Sequence, residues 1–284
     1  MTAAPAANVV ERSSNRNHGK PLADSRRTTV QYRETFETRR DFASAGNVPT
    51  SANPINAAAT SAPTQRVTPV RGESRKLFTY WVSASQPKNL SLHENGGLTD
   101  HFMALPGRFA ADSYSALAID LASRAGSTAA VASQMPAPLA NARTEDLVAD
   151  MKAGLDELAK RTPGVKMAVT GFCFGGGMVW SLLNAGDSRL AAGVPFYGTG
   201  PSDPDFTRSP NTAVRAVYAE LDSRVNANRP AMTAALEKAK LVHQIVTAPG
   251  VDHAFFNDTG ARYNAAQATA TYNKVLDWFA KHLA

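Results

Sequence analysis

The sequence predicts an α/β protein in which a mainly parallel sheet is covered by helices on both faces. Two observations lead to this prediction. Short apolar segments that suit buried strands alternate with longer segments that carry apolar residues at helical spacing. In addition, a glycine-rich turn at residues 171–177 joins one such strand to one such helix. Alternating strands and helices are typical of parallel sheets, because each parallel connection must cross over the sheet.

The first elements follow from local pattern. Residues 76–82 alternate in polarity and are rich in aromatic side chains, as in an edge strand. Residues 89–92 predict a shorter and more polar strand, and residues 93–98 a loop whose glycines allow tight turns. A helix over 103–111 and a buried strand over 115–121 come next.

The later elements are more regular. A helix begins at Thr144, whose hydroxyl can cap it, and apolar residues continue at helical spacing to Leu158. Pro163 and Gly164 end this helix before a strand at 165–169. The remaining elements are predicted as a helix after the glycine-rich turn, strands over 190–197, 214–219 and 243–247, and helices over 229–240 and 261–283.

Composition divides the chain into two parts. Residues 1–72 are rich in Ala, Asn, Ser, Thr, Arg and Pro and show no periodicity, which predicts a mostly disordered basic leader. Residues 73–284 are predicted to form one domain, since a chain of 284 residues that is 43% hydrophobic can bury one sizeable core. The single cysteine excludes an intramolecular disulfide and a multi-cysteine metal site, and neither a metal nor an organic cofactor is expected.

The net charge of +6 is concentrated near the N-terminus. Residues 1–80 carry 12 Lys and Arg against 6 Asp and Glu, whereas residues 81–284 carry 18 of each. The predicted domain therefore has no basic excess to attract nucleic acid, and salt-dependent binding through the leader is the alternative. No apolar run approaches the length that spans a bilayer, so no membrane partner is expected.

One segment of the leader resembles an export signal. Residues 38–42 contain the pair Arg39 and Arg40, as in a twin-arginine signal. The following residues 43–60 contain two prolines, three Asn and few strong hydrophobes, so the apolar segment that such a signal needs is poor. We therefore expect a cytoplasmic protein, with export through the leader as the alternative.

The glycine-rich turn carries the only cysteine. Cys173 lies between Gly171 and Gly175 in the spacing G-x-C-x-G. A sharp strand-to-helix turn of this kind exposes its central side chain as a nucleophile, and the start of a helix favours the thiolate. Two other interpretations are a small buried hydrophobic residue and a phosphate-binding turn, and the second lacks the Gly-Lys-Ser/Thr ending.

Two further strand ends carry an acid and a histidine. Asp222 follows the strand at 214–219, and His253 follows the strand at 243–247. Because the carboxyl ends of parallel strands meet at one edge of a sheet, both residues would lie near Cys173. The order nucleophile, acid, histidine is that of an α/β-hydrolase. His253 would then take the thiol proton, and Asp222 would orient the imidazole ring.

Other residues could fill these positions. Glu220 or Asp252 could serve as the acid, and His93 or His101 are more distant candidates for the histidine. Each also has a structural alternative, since a loop carboxylate is most often solvated and a single histidine most often structural. Geometry decides between these alternatives.

Four motifs combine into a pattern that is more specific than any one of them. They are Gly171-Phe172-Cys173-Phe174-Gly175-Gly176-Gly177, His93-Glu94 with Gly97-Leu98, Tyr218-Ala219-Glu220-Leu221-Asp222, and Asp252-His253-Ala254-Phe255. Together they resemble the dienelactone hydrolase (carboxymethylenebutenolidase) family, from about residue 75 to the C-terminus. The resemblance implies an α/β-hydrolase fold with a triad of Cys173, His253 and Asp222.

The same resemblance implies roles for further residues. Glu94 matches a glutamate that pairs with the resting thiol and releases it as thiolate when substrate arrives. The family's oxyanion hole falls on the backbone N–H groups of Asn95 and Phe174, and Arg124 matches an arginine that binds substrate. A second arginine of dienelactone enzymes, four residues after the histidine, is replaced by Asn257, which weakens the case for an anionic lactone.

These expectations combine into one predicted activity. The chain is expected to hydrolyse a small ester or lactone through a thiol acyl-enzyme, as a monomer or a small homo-oligomer. One alternative is cleavage of a thioester or peptide bond on the same fold, and another is a non-catalytic binding protein on a hydrolase scaffold.

Overall fold

The computed structural model describes residues 64–69, 76–84, 87–161 and 163–284. Its strands are β1 (Thr64–Pro69), β2 (Lys76–Val82), β3 (Lys88–Leu92), β4 (Ser115–Ile119), β5 (Met167–Phe172), β6 (Leu190–Phe196), β7 (Ala213–Ala219) and β8 (His243–Ala248). Its α-helices are α1 (Asp100–Ala111), α2 (Ala137–Ala140), α3 (Thr144–Arg161), α4 (Phe174–Ala185), α5 (Ser223–Asn226), α6 (Arg229–Lys238) and α7 (Ala265–His282).

The strands of the described residues form one sheet in the order β1-β2-β4-β3-β5-β6-β7-β8. From β4 to β8 all neighbours are parallel, while β2 pairs antiparallel with β4 and with β1. The carboxyl ends of β5, β6, β7 and β8 therefore lie along one edge of the sheet. This edge carries the residues after each of those strands, which include the glycine-rich turn.

Helices cover both faces of the sheet, as predicted. On one face, α3, α4 and α6 contribute apolar side chains to a core that contains Leu117 and Ile119 of β4. On the other face, α1 and α7 pack against a second core that contains Ala116 and Ala118 of the same strand. Because successive residues of a strand point to opposite faces, one strand supplies both cores. The predicted α/β fold is confirmed.

Strand β3 lies in the middle of the sheet although its sequence is polar. All five residues of β3 are buried between β4 and β5. The side-chain amide of Asn89 donates to the Ser91 hydroxyl over 3.0 Å and accepts from the Thr170 hydroxyl of β5 over 2.9 Å. These groups satisfy one another, so the buried polar residues cost little free energy.

One strand of the sheet lies before the predicted domain boundary. The boundary predicted between residues 72 and 73 falls between β1 and β2, so β1 lies within the segment predicted as leader. Arg39 and Arg40 lie outside the described residues. Among the helices of the described residues, none is long and apolar enough to cross a membrane.

Candidate active site

Cys173 lies at the sharp turn between β5 and α4. Its backbone has φ +53° and ψ −111°, which is a strained conformation for a residue with a side chain. The turn is held on both sides, because the N–H of Cys173 donates to the Phe196 carbonyl and its carbonyl accepts from the N–H of Gly177, each over 3.0 Å. The strain places the thiol at the carboxyl edge of the sheet, at the first turn of α4.

The glycines around the turn are required by close packing. A Cβ atom on Gly175 would lie 2.6 Å from the carbonyl oxygen of His93, and a Cβ on Gly171 would overlap the carbonyl of Gly175. The backbones of Gly175 and His93 cannot move apart, because the N–H of Gly175 donates to that same His93 carbonyl over 3.0 Å. The spacing G-x-C-x-G therefore reflects the approach of α4 to β3.

His253 lies between the thiol and a buried carboxylate. Its Nε2 is 3.0 Å from Sγ of Cys173, and its Nδ1 is 2.5 Å from Oδ2 of Asp222. Asp222 is only 5% exposed, and its other oxygen accepts from the backbone N–H of Val225 at the start of α5 over 3.2 Å. The structure thus brings the three residues together in the order that the sequence predicts.

The alternative acids do not contact the ring of His253. Asp252 accepts from the backbone N–H of His253 over 2.6 Å. Glu220 accepts from the backbone N–H of Gly250 over 2.7 Å. Both carboxylates therefore bind the backbone of the loop after β8, while Asp222 contacts the imidazole ring.

Glu94 lies beside the thiol and is 8% exposed. Its Oε1 accepts from the hydroxyl of Tyr197 over 3.1 Å, and its Oε2 accepts from the side-chain amide of Asn257 over 3.0 Å. The hydrogen bonds of Cys173 and Glu94 within the described part of the chain do not join the two side chains. The expected pair between Glu94 and the resting thiol is thus replaced by a pair between His253 and the thiol.

Burial and charge act on the thiol in the same direction. Burial raises the pKa of Cys173 most, and the carboxylate of Glu94 raises it further. The nearby backbone N–H groups of Asn95 and Phe174 lower the pKa, with a smaller contribution from Arg224. The net pKa lies above the ordinary value, so the free thiol is favoured before substrate binds.

The backbone N–H groups of Asn95 and Phe174 lie close enough to Sγ to act on the pKa of the thiol. Phe174 is the first residue of α4, where backbone N–H groups lack helical partners. Asn95 belongs to the turn after β3, which the hydrogen bond from Gly97 to the Glu94 carbonyl closes. Backbone N–H groups beside a nucleophile are the kind of donors that can stabilise an oxyanion.

Comparison with protein families gives an independent result. The model of the dienelactone hydrolase family matches residues 81–283. The chain belongs to the dienelactone hydrolase family. The match covers the sheet from the end of β2 to the last helix, and it confirms the resemblance found in the sequence motifs.

Two bacterial relatives are similar to this chain over most of their length. A candidate carboxymethylenebutenolidase of Salmonella typhi is 28% identical over 246 residues, which cover 80% of this chain and 88% of the relative. A candidate carboxymethylenebutenolidase of Escherichia coli O157:H7 is 29% identical over 211 residues, which cover 69% of this chain and 77% of the relative.

Solved structures of dienelactone hydrolases share the fold. A candidate dienelactone hydrolase of Klebsiella pneumoniae superposes with a TM-score of 0.65 at 23% identity, covering 78% of this chain and 100% of that one. The dienelactone hydrolase of Anabaena variabilis gives a TM-score of 0.59 at 17% identity, covering 78% and 99%. Together with the family match, these structures identify the protein as a hydrolase of the α/β-hydrolase fold.

Arg124, expected from the dienelactone hydrolase resemblance to bind substrate, is engaged elsewhere. Its Nε donates to Oδ2 of Asp150 over 2.7 Å, and its Nη1 lies 3.1 Å from Oδ1 of Asp146. Both acids belong to α3. Within the described residues, the hydrogen bonds of Arg124 go to α3 and none goes to Cys173 or Glu94. A surface cavity of about 260 Å³ beside Arg124 also contains none of the triad.

The two other candidate histidines, His93 and His101, form hydrogen bonds away from the thiol. His93 is fully buried, with Nδ1 2.7 Å from the Glu94 carbonyl and Nε2 accepting from the N–H of Leu121 over 2.9 Å. His101 lies on α1, and its Nδ1 is 2.6 Å from Oδ1 of Asp258. Both ring nitrogens of His93 and Nδ1 of His101 are therefore engaged away from the thiol.

Sequence reasoning missed Tyr197. This residue follows β6, is almost fully buried and has φ +34°, and its ring packs edge-on against His253 with centroids 5.1 Å apart. Its hydroxyl donates to Oε1 of Glu94 over 3.1 Å. A polar aromatic side chain directly after a buried strand, at the edge that carries the nucleophile, was the signal that could have identified it.

Proposed function

We propose that this hydrolase cleaves small carboxylic esters or lactones through a thioester formed on Cys173. The observation that supports the proposal most is the position of His253, which contacts both the Cys173 sulfur and the Asp222 carboxylate. A ring so placed can take a proton on one nitrogen while the other is held by a carboxylate.

The first half of the reaction forms the acyl-enzyme. His253 takes the thiol proton on Nε2, and the sulfur attacks the carbonyl carbon of the substrate. The carbonyl oxygen becomes an oxyanion and accepts hydrogen bonds from the N–H groups of Asn95 and Phe174. When the tetrahedral intermediate collapses, the C–O bond to the alcohol breaks and His253 returns the proton to the leaving oxygen. In a lactone that oxygen stays attached to the acyl chain.

The second half regenerates the thiol. His253 takes a proton from water, and the resulting hydroxide attacks the thioester carbon in the same oxyanion hole. The C–S bond breaks, the sulfur recovers its proton from His253, and the carboxylic acid leaves. Asp222 stabilises the imidazolium that forms in each half and holds Nδ1 protonated.

Glu94 is proposed to control the thiol rather than to react. Burial raises the pKa of Cys173 most, and the negative charge of Glu94 raises it further. The higher pKa keeps the sulfur protonated and less prone to oxidation between turnovers. Arg124 is left out of the proposed substrate contacts, because Asp146 and Asp150 occupy its guanidinium.

The test is hydrolysis of p-nitrophenyl acetate and a panel of small lactones, thioesters and peptides. We expect the wild type to hydrolyse an ester or a lactone, and Cys173→Ala and His253→Ala to abolish that activity. His243→Ala is the matched control, because this partly buried ring at the start of β8 bonds to the Leu241 carbonyl away from the thiol. A wild type that turns over none of the panel, with Cys173 inert to iodoacetamide, would exclude the proposal.

A further inference from the structure

We propose that Glu94, held by Tyr197 and Asn257 without a cationic partner among the described residues, makes the acyl pocket select uncharged groups over anionic ones. The consequence for turnover depends on the function proposed above, while the selection at the Cys173 sulfur is a property of the site itself.

The two donors hold the carboxylate from opposite sides. Tyr197 reaches Oε1 from the end of β6, and Asn257 reaches Oε2 from the loop after β8. An ionised carboxylate only accepts hydrogen bonds, and both oxygens of Glu94 accept here. Asn257 is itself anchored, since its Oδ1 accepts from the N–H of Thr259 over 3.1 Å. The carboxylate therefore has a fixed place beside the thiol.

Neither donor neutralises the charge. A tyrosine hydroxyl and an asparagine amide are neutral, and their distances of 3.1 and 3.0 Å to the carboxylate are those of ordinary hydrogen bonds. Among the described residues, His101 is close enough for Glu94 to act on its protonation, but burial lowers the pKa of that histidine most. His101 is therefore largely neutral at neutral pH, and it faces Asp258 rather than Glu94.

The other charged groups described at this edge of the sheet leave the net charge around the thiol negative. Asp222 is paired with His253, so this pair carries one negative charge while the ring is neutral and no net charge when the ring is protonated. Arg224, on α5, is exposed and donates to the Thr199 hydroxyl over 3.1 Å at the mouth of the site. It acts on the thiol less than Glu94 does, and water and salt screen an exposed charge.

An acyl group bound to Sγ must lie within the field of Glu94. The carboxylate is 8% exposed and the thiol is half-buried, so little water separates them from a bound substrate. Repulsion between two negative charges is stronger in such a site than in bulk water. A carboxylate on the acyl chain is therefore disfavoured, while a neutral chain is not.

The single cysteine allows a direct test with two alkylating reagents of similar size. Iodoacetamide is neutral and iodoacetate is anionic, and each reports only on Cys173 because the chain has one cysteine. Rates are measured at neutral pH and divided by those of N-acetylcysteine amide, an uncharged model thiol. We expect wild-type protein to disfavour iodoacetate relative to the model thiol by roughly tenfold, and Glu94→Gln to remove most of that discrimination.

Glu145→Gln is the matched control, because it removes the same charge from a surface side chain of α3 that is 76% exposed. We expect its iodoacetate to iodoacetamide ratio to equal that of the wild type. A wild-type ratio equal to that of the model thiol would overturn the inference without any variant. An equal ratio in wild type and folded Glu94→Gln would overturn the role of this residue.

A pair of esters extends the test to turnover. p-Nitrophenyl butyrate is neutral, and mono-p-nitrophenyl succinate carries a carboxylate on an acyl chain of similar length. We expect kcat/KM to favour butyrate in the wild type, with the preference reduced about tenfold in Glu94→Gln. If neither ester is hydrolysed but the alkylation preference is present, the proposed function fails and the charge selection stands. If both esters are hydrolysed equally well, the charge selection fails and the proposed function stands.

Discussion

The Oδ2 atom of Asp222 lies 2.5 Å from Nδ1 of His253, and the opposite nitrogen of the same ring lies 3.0 Å from the Cys173 sulfur. The carboxylate comes from the residue that caps α5, so its position is fixed by the helix start as well as by the ring. The tautomer with a proton on Nδ1 leaves Nε2 free to accept the thiol proton.

Replacement of Asp222 by Asn should therefore impair catalysis without unfolding the protein. Asn also caps helices well, so α5 is expected to persist. The amide can present its N–H₂ to Nδ1 and favour the tautomer in which Nε2 carries the proton, and we expect kcat to fall roughly 10³–10⁴-fold. The measurement is steady-state hydrolysis of p-nitrophenyl butyrate.

The control for this variant is Asp252→Asn, one residue before the histidine. Asp252 accepts only from the backbone N–H of His253 among the contacts described above, and an amide oxygen can accept equally well. We expect its kcat to stay within about threefold of the wild type. Equal losses in the two variants would mean that loop geometry, and not the Asp222 carboxylate, limits the rate.

The pKa of the thiol should respond to Glu94. Burial and the Glu94 carboxylate both raise the pKa of Cys173, because both disfavour the thiolate. Glu94→Gln removes the second cause, so the pKa should fall and alkylation should reach its plateau at a lower pH. The measurement is the pH profile of alkylation by iodoacetamide, with Glu145→Gln as control. A profile that stays in place, or moves to higher pH, would contradict this electrostatic account.

Much of the fold could be predicted because its signals are local. The start of α3 at Thr144 and the strands β2, β7 and β8 agree with the sequence to within one residue or two. The turn at Cys173 also has a local signal, since a Cβ on Gly171 would overlap the carbonyl of Gly175 only four residues later.

The rest depends on pairing between distant segments. The polar strand β3 can lie in the centre of the sheet because Asn89, Ser91 and Thr170 hydrogen-bond to one another. Thr170 is 81 residues away from Asn89 in the sequence, so no local pattern could reveal this pairing. Tyr197 and Asn257 likewise meet at Glu94 only after the sheet has formed. Arg124 was assigned by resemblance alone, and its contacts with α3 could not be read from its position.

Because α4 approaches β3 closely, we expect alanine substitutions at two glycines to differ strongly in their effect on the free energy of unfolding. Gly175→Ala would place a methyl group 2.6 Å from the His93 carbonyl oxygen, and we expect a loss of about 2–4 kcal/mol in the free energy of unfolding. Gly107→Ala in α1 meets nothing within 4 Å and should be neutral or stabilising by about 0.5–1 kcal/mol. Urea denaturation measures both. Similar stability for the two variants would mean that α4 can move away from β3.

Substitution of Arg124 can distinguish a structural role of this residue from a role in substrate binding. Its guanidinium donates two hydrogen bonds to Asp150, whose side chain is 1% exposed, at 2.7 and 3.0 Å. We expect Arg124→Gln to lower the free energy of unfolding by about 2–3 kcal/mol and to leave KM for p-nitrophenyl butyrate and for mono-p-nitrophenyl succinate unchanged. Urea denaturation and steady-state kinetics on the same preparations provide the two measurements.

The control is Arg143→Gln, since Arg143 pairs with Glu145 over 3.7 Å and both side chains are more than 70% exposed. Such a pair contributes little, so stability should change by less than about 0.5 kcal/mol. The two readouts distinguish the roles of Arg124 because a buried ion pair acts on folding, whereas a substrate contact acts on KM. If Arg124→Gln raised KM for the succinate ester tenfold and left stability unchanged, Arg124 would be a substrate-binding residue. This result would also show that the contacts with α3 are exchanged for the substrate carboxylate during binding.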